Sequence, residues 1–113
     1  MFELNAYEIF VEQTAIYPAG DSDYYSLAYP TLGLVGEAGE FANKVKKLDR
    51  DENGKCSPER RAELVDELGD CLWYLTRLAH TLGCNLSDVA NVNKAKLQSR
   101  VERGVLSGSG DHR

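Results

Sequence analysis

Few of the residues that build disulfide-stapled, zinc-bound or membrane-spanning proteins are present in this chain. Its three cysteines, Cys56, Cys71 and Cys84, are odd in number and form no Cys-x-x-Cys pair. That speaks against a disulfide framework or a zinc knuckle and for reduced thiols in a cytoplasmic protein. Histidine is almost missing. His80 and His112 are the two in the chain, and neither completes a Glu-x-x-His pair, so a di-iron carboxylate bundle lacks its ligands. Positive charge is also scarce: 13 Lys and Arg stand against 18 Asp and Glu, a net charge of −5. This argues against a broad nucleic-acid-binding surface. A small phosphorylated ligand stays compatible, because a metal and a few lysines can neutralise it. No apolar run approaches the roughly 18 residues of a membrane span. Met1–Val11 carries acids among its apolar residues and has no basic n-region, so it does not read as a signal peptide. Neither an internal repeat nor a strand pattern stands out.

What remains is a globular composition, 42% hydrophobic and 27% charged over 113 residues. That length is one domain, expected as an all-α, four-helix antiparallel bundle over residues 1–103 with a flexible Gly/Ser-rich tail over 104–113. So small a helical domain gains by oligomerising. Helical spacing of Phe2, Ala6, Ile9, Phe10, Gln13 and Ile16 marks a first helix, with Asn5 as its cap and Tyr17-Pro18-Ala19-Gly20 as its stop. A second helix is expected to start between Ser26 and Thr31, since Pro30 is tolerated only in a first turn, and to end near Leu48. Leu34, Val35, Ala38, Phe41, Ala42, Val45 and Leu48 form its apolar stripe. The turn Asp49–Gly54 matches the start of a calcium loop, but Arg60 stands at the twelfth position and Pro58 interrupts, so it reads as an ordinary surface turn. Ser57 and Pro58 open a third helix to about Leu82, with Gly83 beyond its end; Asn85 or Ser87 caps a fourth, to Glu102.

Two acidic pairs dominate these helices. Glu37-x-x-Glu40 lies on the second and Glu67-x-x-Asp70 on the third. Residues i and i+3 share a helix face, and both pairs flank an apolar stripe. Two such helices packed side by side would gather four carboxylates, which cannot stay close without a cation. Hard oxygen ligands in that number suit Mg²⁺ or Mn²⁺. Gly36 and Gly39, each costing roughly 1 kcal/mol against Ala in a helix, suggest a close approach to the backbone beside the acids. Lys44 and Lys47 continue the flank of the second helix, Tyr74 extends the acidic arc of the third, and Asn93, Lys96 and Arg100 share a face of the fourth.

Glu37-x-x-Glu40 followed by Glu67-x-x-Asp70 resembles the metal-binding signature of MazG-like nucleoside triphosphate pyrophosphohydrolases, in the all-α NTP pyrophosphatase group. Leu32–Phe41 is similar to the first motif of that family, and Asn93-x-x-Lys96-Leu97-x-x-Arg100 followed by Gly104 to its C-terminal motif. Gly108–Arg113 resembles a tail found in part of the family. One departure is Gly36, where many members carry a first glutamate. The resemblance implies Mg²⁺-dependent hydrolysis of a nucleoside triphosphate between the α and β phosphates. It also implies a homodimer or homotetramer with sites completed near subunit interfaces.

Joined to that resemblance, the residues suggest definite roles. Glu37, Glu40, Glu67 and Asp70 hold the metal, and Glu37 or Glu40 orients or deprotonates the attacking water. Lys44, Lys47, Lys96 and Arg100 neutralise phosphate, Asn93 bonds the sugar or a phosphate, and Tyr74 or Trp73 stacks on the base. Each role has a plainer counterpart: Glu40 and Lys44 form an ordinary i,i+4 pair, and Lys47 can be a solvated lysine. The competing reading of the whole is a non-catalytic helical interaction module whose acids are a solvated face. It leaves the placement of both pairs beside the core stripes unexplained.

Overall fold

A computed structural model describes residues 3–18 and 22–113. The expectations for Phe2 and for Ala19, Gly20 and Asp21 lie outside the described residues. The chain is all-α: α1 (Leu4–Thr14), α2 (Asp23–Glu52), α3 (Pro58–Thr81) and α4 (Leu86–Glu102), with no strand among the described residues.

Local capping explains most helix ends. The Ser57 hydroxyl accepts the Arg60 N–H at 3.1 Å with Pro58 at the first helical position. Asn85 and Asp88 form a reciprocal capping box at the start of α4. α1 begins one residue before Asn5, which lies inside the helix instead of capping it. α2 is longer than its apolar stripe suggested. Ser22 caps it, accepting from Tyr25 at 3.4 Å, so Pro30 sits in the helix interior and not in the first turn. Proline there removes a ladder hydrogen bond, but its ring is fully buried, and that packing offsets the loss. At the other end the helix runs through Glu52, where Asn53 takes a left-handed conformation (φ 54°). The Gly54 N–H closes the end on the Leu48 carbonyl at 2.9 Å.

α2 and α3 form an antiparallel hairpin, with Gly33 against Tyr74, Lys44 against Glu67 and Glu52 against Arg60. Among the described residues the close approach within the chain is at Gly33. A Cβ on Gly33 would fall within the Tyr74 ring's own space, whereas one on Gly36 or Gly39 meets nothing within 4 Å.

α1 and α4 pack on α3 and on each other, placing the buried apolar residues Val11, Ala79 and Leu86 on these three helices, and polar contacts add to the packing. Trp73 Nε1 donates to Thr14 Oγ1 at 2.8 Å, Arg77 Nε to the Tyr17 hydroxyl at 3.0 Å, and Glu8 accepts the Leu86 N–H at the α4 N-terminus. α1 turns Val11 inward, while Ile9 and Phe10 of the expected stripe are exposed. The hairpin stripes are only half covered: Val35 is 66% exposed and Leu68 54%. The radius of gyration is 17.2 Å, against about 13 Å for a compact chain near this length. The fold therefore presents its apolar stripes outward as well as inward.

Gly33→Ala should lower the melting temperature by several degrees, because the methyl and the Tyr74 ring cannot share one space. In the Gly33→Ala/Tyr74→Leu double variant the two losses should be strongly non-additive, measured by thermal unfolding of all four proteins.

Candidate metal centre between the paired helices

The α2–α3 register brings Glu37, Glu67 and Asp70 together. One carboxylate oxygen from each lies within 4.8 Å of the others. Glu40, one turn beyond Glu37, stands outside this trio on an exposed face, and its charge is felt by Glu37. Glu37 and Glu67 are half-buried and Asp70 is exposed.

Three carboxylates so close repel one another, and a lysine partly relieves them. Lys44 Nζ reaches across from α2 to Glu67 Oε1 at 2.6 Å. This bond holds Glu67 below the usual carboxylate range and raises Lys44. Glu37 is pushed the other way, by desolvation first, then by its hydrogen bond with Glu67 and the charges of Asp70, Glu67 and Glu40. An all-oxygen donor set from three converging acids fits a hard divalent ion.

Beside the trio, Glu37, Asp70, Trp73 and Tyr74 line an open cavity of about 270 Å³. Its wall is aromatic. Tyr74 meets Trp73 edge to face at 5.0 Å and Tyr29 at 6.3 Å, and Tyr29 stacks on Tyr17 at 4.5 Å. Burial, with Tyr29 beside it, raises the Tyr74 phenol. Sequence reasoning did not single out Tyr7, on α1, which feels the charge of Asp70. Nor did it foresee Cys71, whose thiol is pushed up by burial and by the acids. Cys71 is the neighbour of Asp70 in the chain, so position alone could have flagged it; Tyr7 carried no such signal.

Other candidate residues lie elsewhere. Lys47 is half-buried and its charge acts on Asp51. Asn93 is exposed on α4. Lys96 and Arg100 both face Asp111 of the C-terminal segment, Arg100 deeply buried. Among the described residues α4 packs against α1 and α3 and not against α2.

Residues 28–105 match the model of the MazG nucleotide pyrophosphohydrolase domain, and all four acids of the two pairs fall within that stretch. The chain belongs to the MazG nucleotide pyrophosphohydrolase domain family. This MazG chain is 54% identical over 112 residues to Gene 37 protein of Mycobacterium phage L5, covering 97% of this chain and 98% of that protein. It is also 36% identical over 74 residues to Uncharacterized protein YvdC of Bacillus subtilis (strain 168), covering 61% of this chain and 70% of that one. No solved structure matches it. No helix among the described residues is long and apolar enough to cross a membrane.

The raised Glu37 carboxyl has a signed consequence for stability. The unfolded chain ionises Glu37 at its ordinary value, so the metal-free fold loses stability as pH rises from there through the raised folded value. Glu37→Gln should therefore raise the metal-free melting temperature at pH 7–8 by a few degrees. The gain should vanish near pH 4, as thermal unfolding across a pH series would read.

Proposed function

We propose that this protein hydrolyses nucleoside triphosphates, with deoxynucleotides the expected class, to the monophosphate and pyrophosphate. The reaction would control the nucleotide pool or clear it of unwanted members. The observation that carries this reading is the convergence of Glu37, Glu67 and Asp70 beside an aromatic-walled cavity in a MazG domain. A non-catalytic acidic face would have no reason to draw three carboxylates together at the edge of a cavity.

Glu37, Glu67 and Asp70 would hold Mg²⁺, or Mn²⁺, with Glu40 turning in as a fourth ligand. When bound, the ion supplies charge neutralisation on the phosphate oxygens and acidifies a water. Glu37 or Glu40 would orient the attacking water toward the α-phosphorus and accept its proton. Lys44, on Glu67 here, would be free to turn to the phosphates. One turn from Glu40, it can then meet the departing pyrophosphate, with Lys47 behind it. Tyr74 offers its face to the base at the mouth of the cavity. Asn93, Lys96 and Arg100 serve sugar and phosphate from α4.

Because α4 does not pack on α2 within one chain, we read the working unit as a homodimer or homotetramer in which a neighbouring copy closes the site. The exposed apolar residues support this, above all Leu32 and Val35 on α2 and Val65 on α3, 73%, 66% and 62% exposed.

Pyrophosphate release from a panel of (d)NTPs should require Mg²⁺ and rank the bases. Glu67→Gln should cut it by more than the roughly 10–100-fold typical of a lost outer-shell partner. Absence of release from every triphosphate, with no Mg²⁺-induced rise in melting temperature, would sink the reading. Light scattering on a sizing column should give the mass of two or four chains, and Leu32→Glu should reduce it.

A further inference from the structure

Beyond α4 the chain turns back on itself. Gly104, Gly108 and Gly110 adopt positive φ angles of 69°, 115° and 87°, which favour glycine. Arg113 fastens the return, donating to the carbonyls of Val105 at 3.2 Å, Leu106 at 3.0 Å and Gly110 at 2.6 Å. Arg103 Nη2 donates to the Arg113 carbonyl at 2.7 Å. This segment lies almost wholly beyond residues 28–105, the stretch matched to the family.

The return brings Asp111 over two cations of α4. Its Oδ1 lies 3.3 Å from both Lys96 Nζ and Arg100 Nη2, and its carbonyl accepts from Arg100 Nη2 at 2.7 Å. Arg100 is only 6% exposed, yet its Nε has no hydrogen-bond acceptor among the described residues. A guanidinium presents a fork of donors matched to a two-oxygen partner, and here one edge of the fork is engaged while Nε is left over. A buried donor without a partner is costly. The Asp111 carboxylate is itself mostly exposed, 76% by side chain, and both its ionic contacts are long. The arrangement is an anion site filled by a weak internal anion that does not use all its donors. A phosphate group, with more charge and three oxygens to share, would satisfy Lys96 and both edges of Arg100.

We propose that Asp111 is an internal stand-in for a substrate phosphate, holding Lys96 and Arg100 with segment 104–113 closed until a polyphosphate displaces it. This rests on the reading above in giving the displacing anion as a nucleoside triphosphate, and it adds regulation of that site. The segment opens as substrate enters, so the cations are kept from weaker anions and released to a ligand that outcompetes a carboxylate already in place. Asp111 acts through Lys96 and Arg100 and takes no part in the bond-breaking step.

The test uses inorganic triphosphate with Mg²⁺ as the probe, so binding is read without turnover. Asp111→Asn should bind it at least threefold more tightly than wild type by calorimetry, and Lys96→Gln should abolish that gain. Amide hydrogen exchange over 104–113 should speed up when triphosphate is added to wild type, and should already be fast in Asp111→Asn. In turnover, Asp111→Asn should lower KM for the preferred nucleotide with kcat within twofold. Weaker or unchanged binding by Asp111→Asn overturns the proposal, as does slower exchange of the segment on adding triphosphate. Hydrolysis by wild type with either of those results would reject the stand-in alone. Tighter, Lys96-dependent binding without hydrolysis of any nucleotide would reject the reaction and uphold the stand-in.

Discussion

Repulsion among Glu37, Glu67 and Asp70 is the constraint around which this molecule is arranged. Their oxygens lie within 4.8 Å of one another, a spacing that costs free energy unless charge is removed or balanced. The hairpin eases that cost by setting the Lys44 ammonium on Glu67, while desolvation and the neighbouring acids raise the Glu37 carboxyl. The lysine can swing away, and a hard divalent ion would relieve the same repulsion.

A second theme is incompleteness within one chain. α2 and α3 grip each other along their length, while α1 and α4 meet α3 over a shorter seam that holds the buried apolar residues Val11, Ala79 and Leu86, and apolar stripes remain uncovered. Leu32, Val35 and Val65 stand exposed on the two helices that carry the acidic trio.

Much of the architecture could be read from local chemistry. The four helices, the caps at Ser57 and Asn85, and the end near Gly83 depend on residues within a turn of each other, and they fall where capping rules put them. Pro30 misled because a rule about isolated helices took no account of ring burial. Asn5 misled because α1 starts behind Glu3, which makes no side-chain cap bond, so no capping residue marks the helix start. Gly36 and Gly39 drew attention that belonged to Gly33, since only the hairpin register says which glycine Tyr74 meets.

The candidate site divides the same way. Spacing by itself determined that Glu37 and Glu40 share a face, as do Glu67 and Asp70, because an i,i+3 relation is a property of one helix. Only the tertiary structure decided that Glu37, not Glu40, joins Glu67 and Asp70, that Lys44 closes on Glu67 from 23 residues away, and that Asp111 returns to Lys96 and Arg100. Those pairings depend on helix register and on glycine-borne reversals, and periodicity along a single segment contains no information about either.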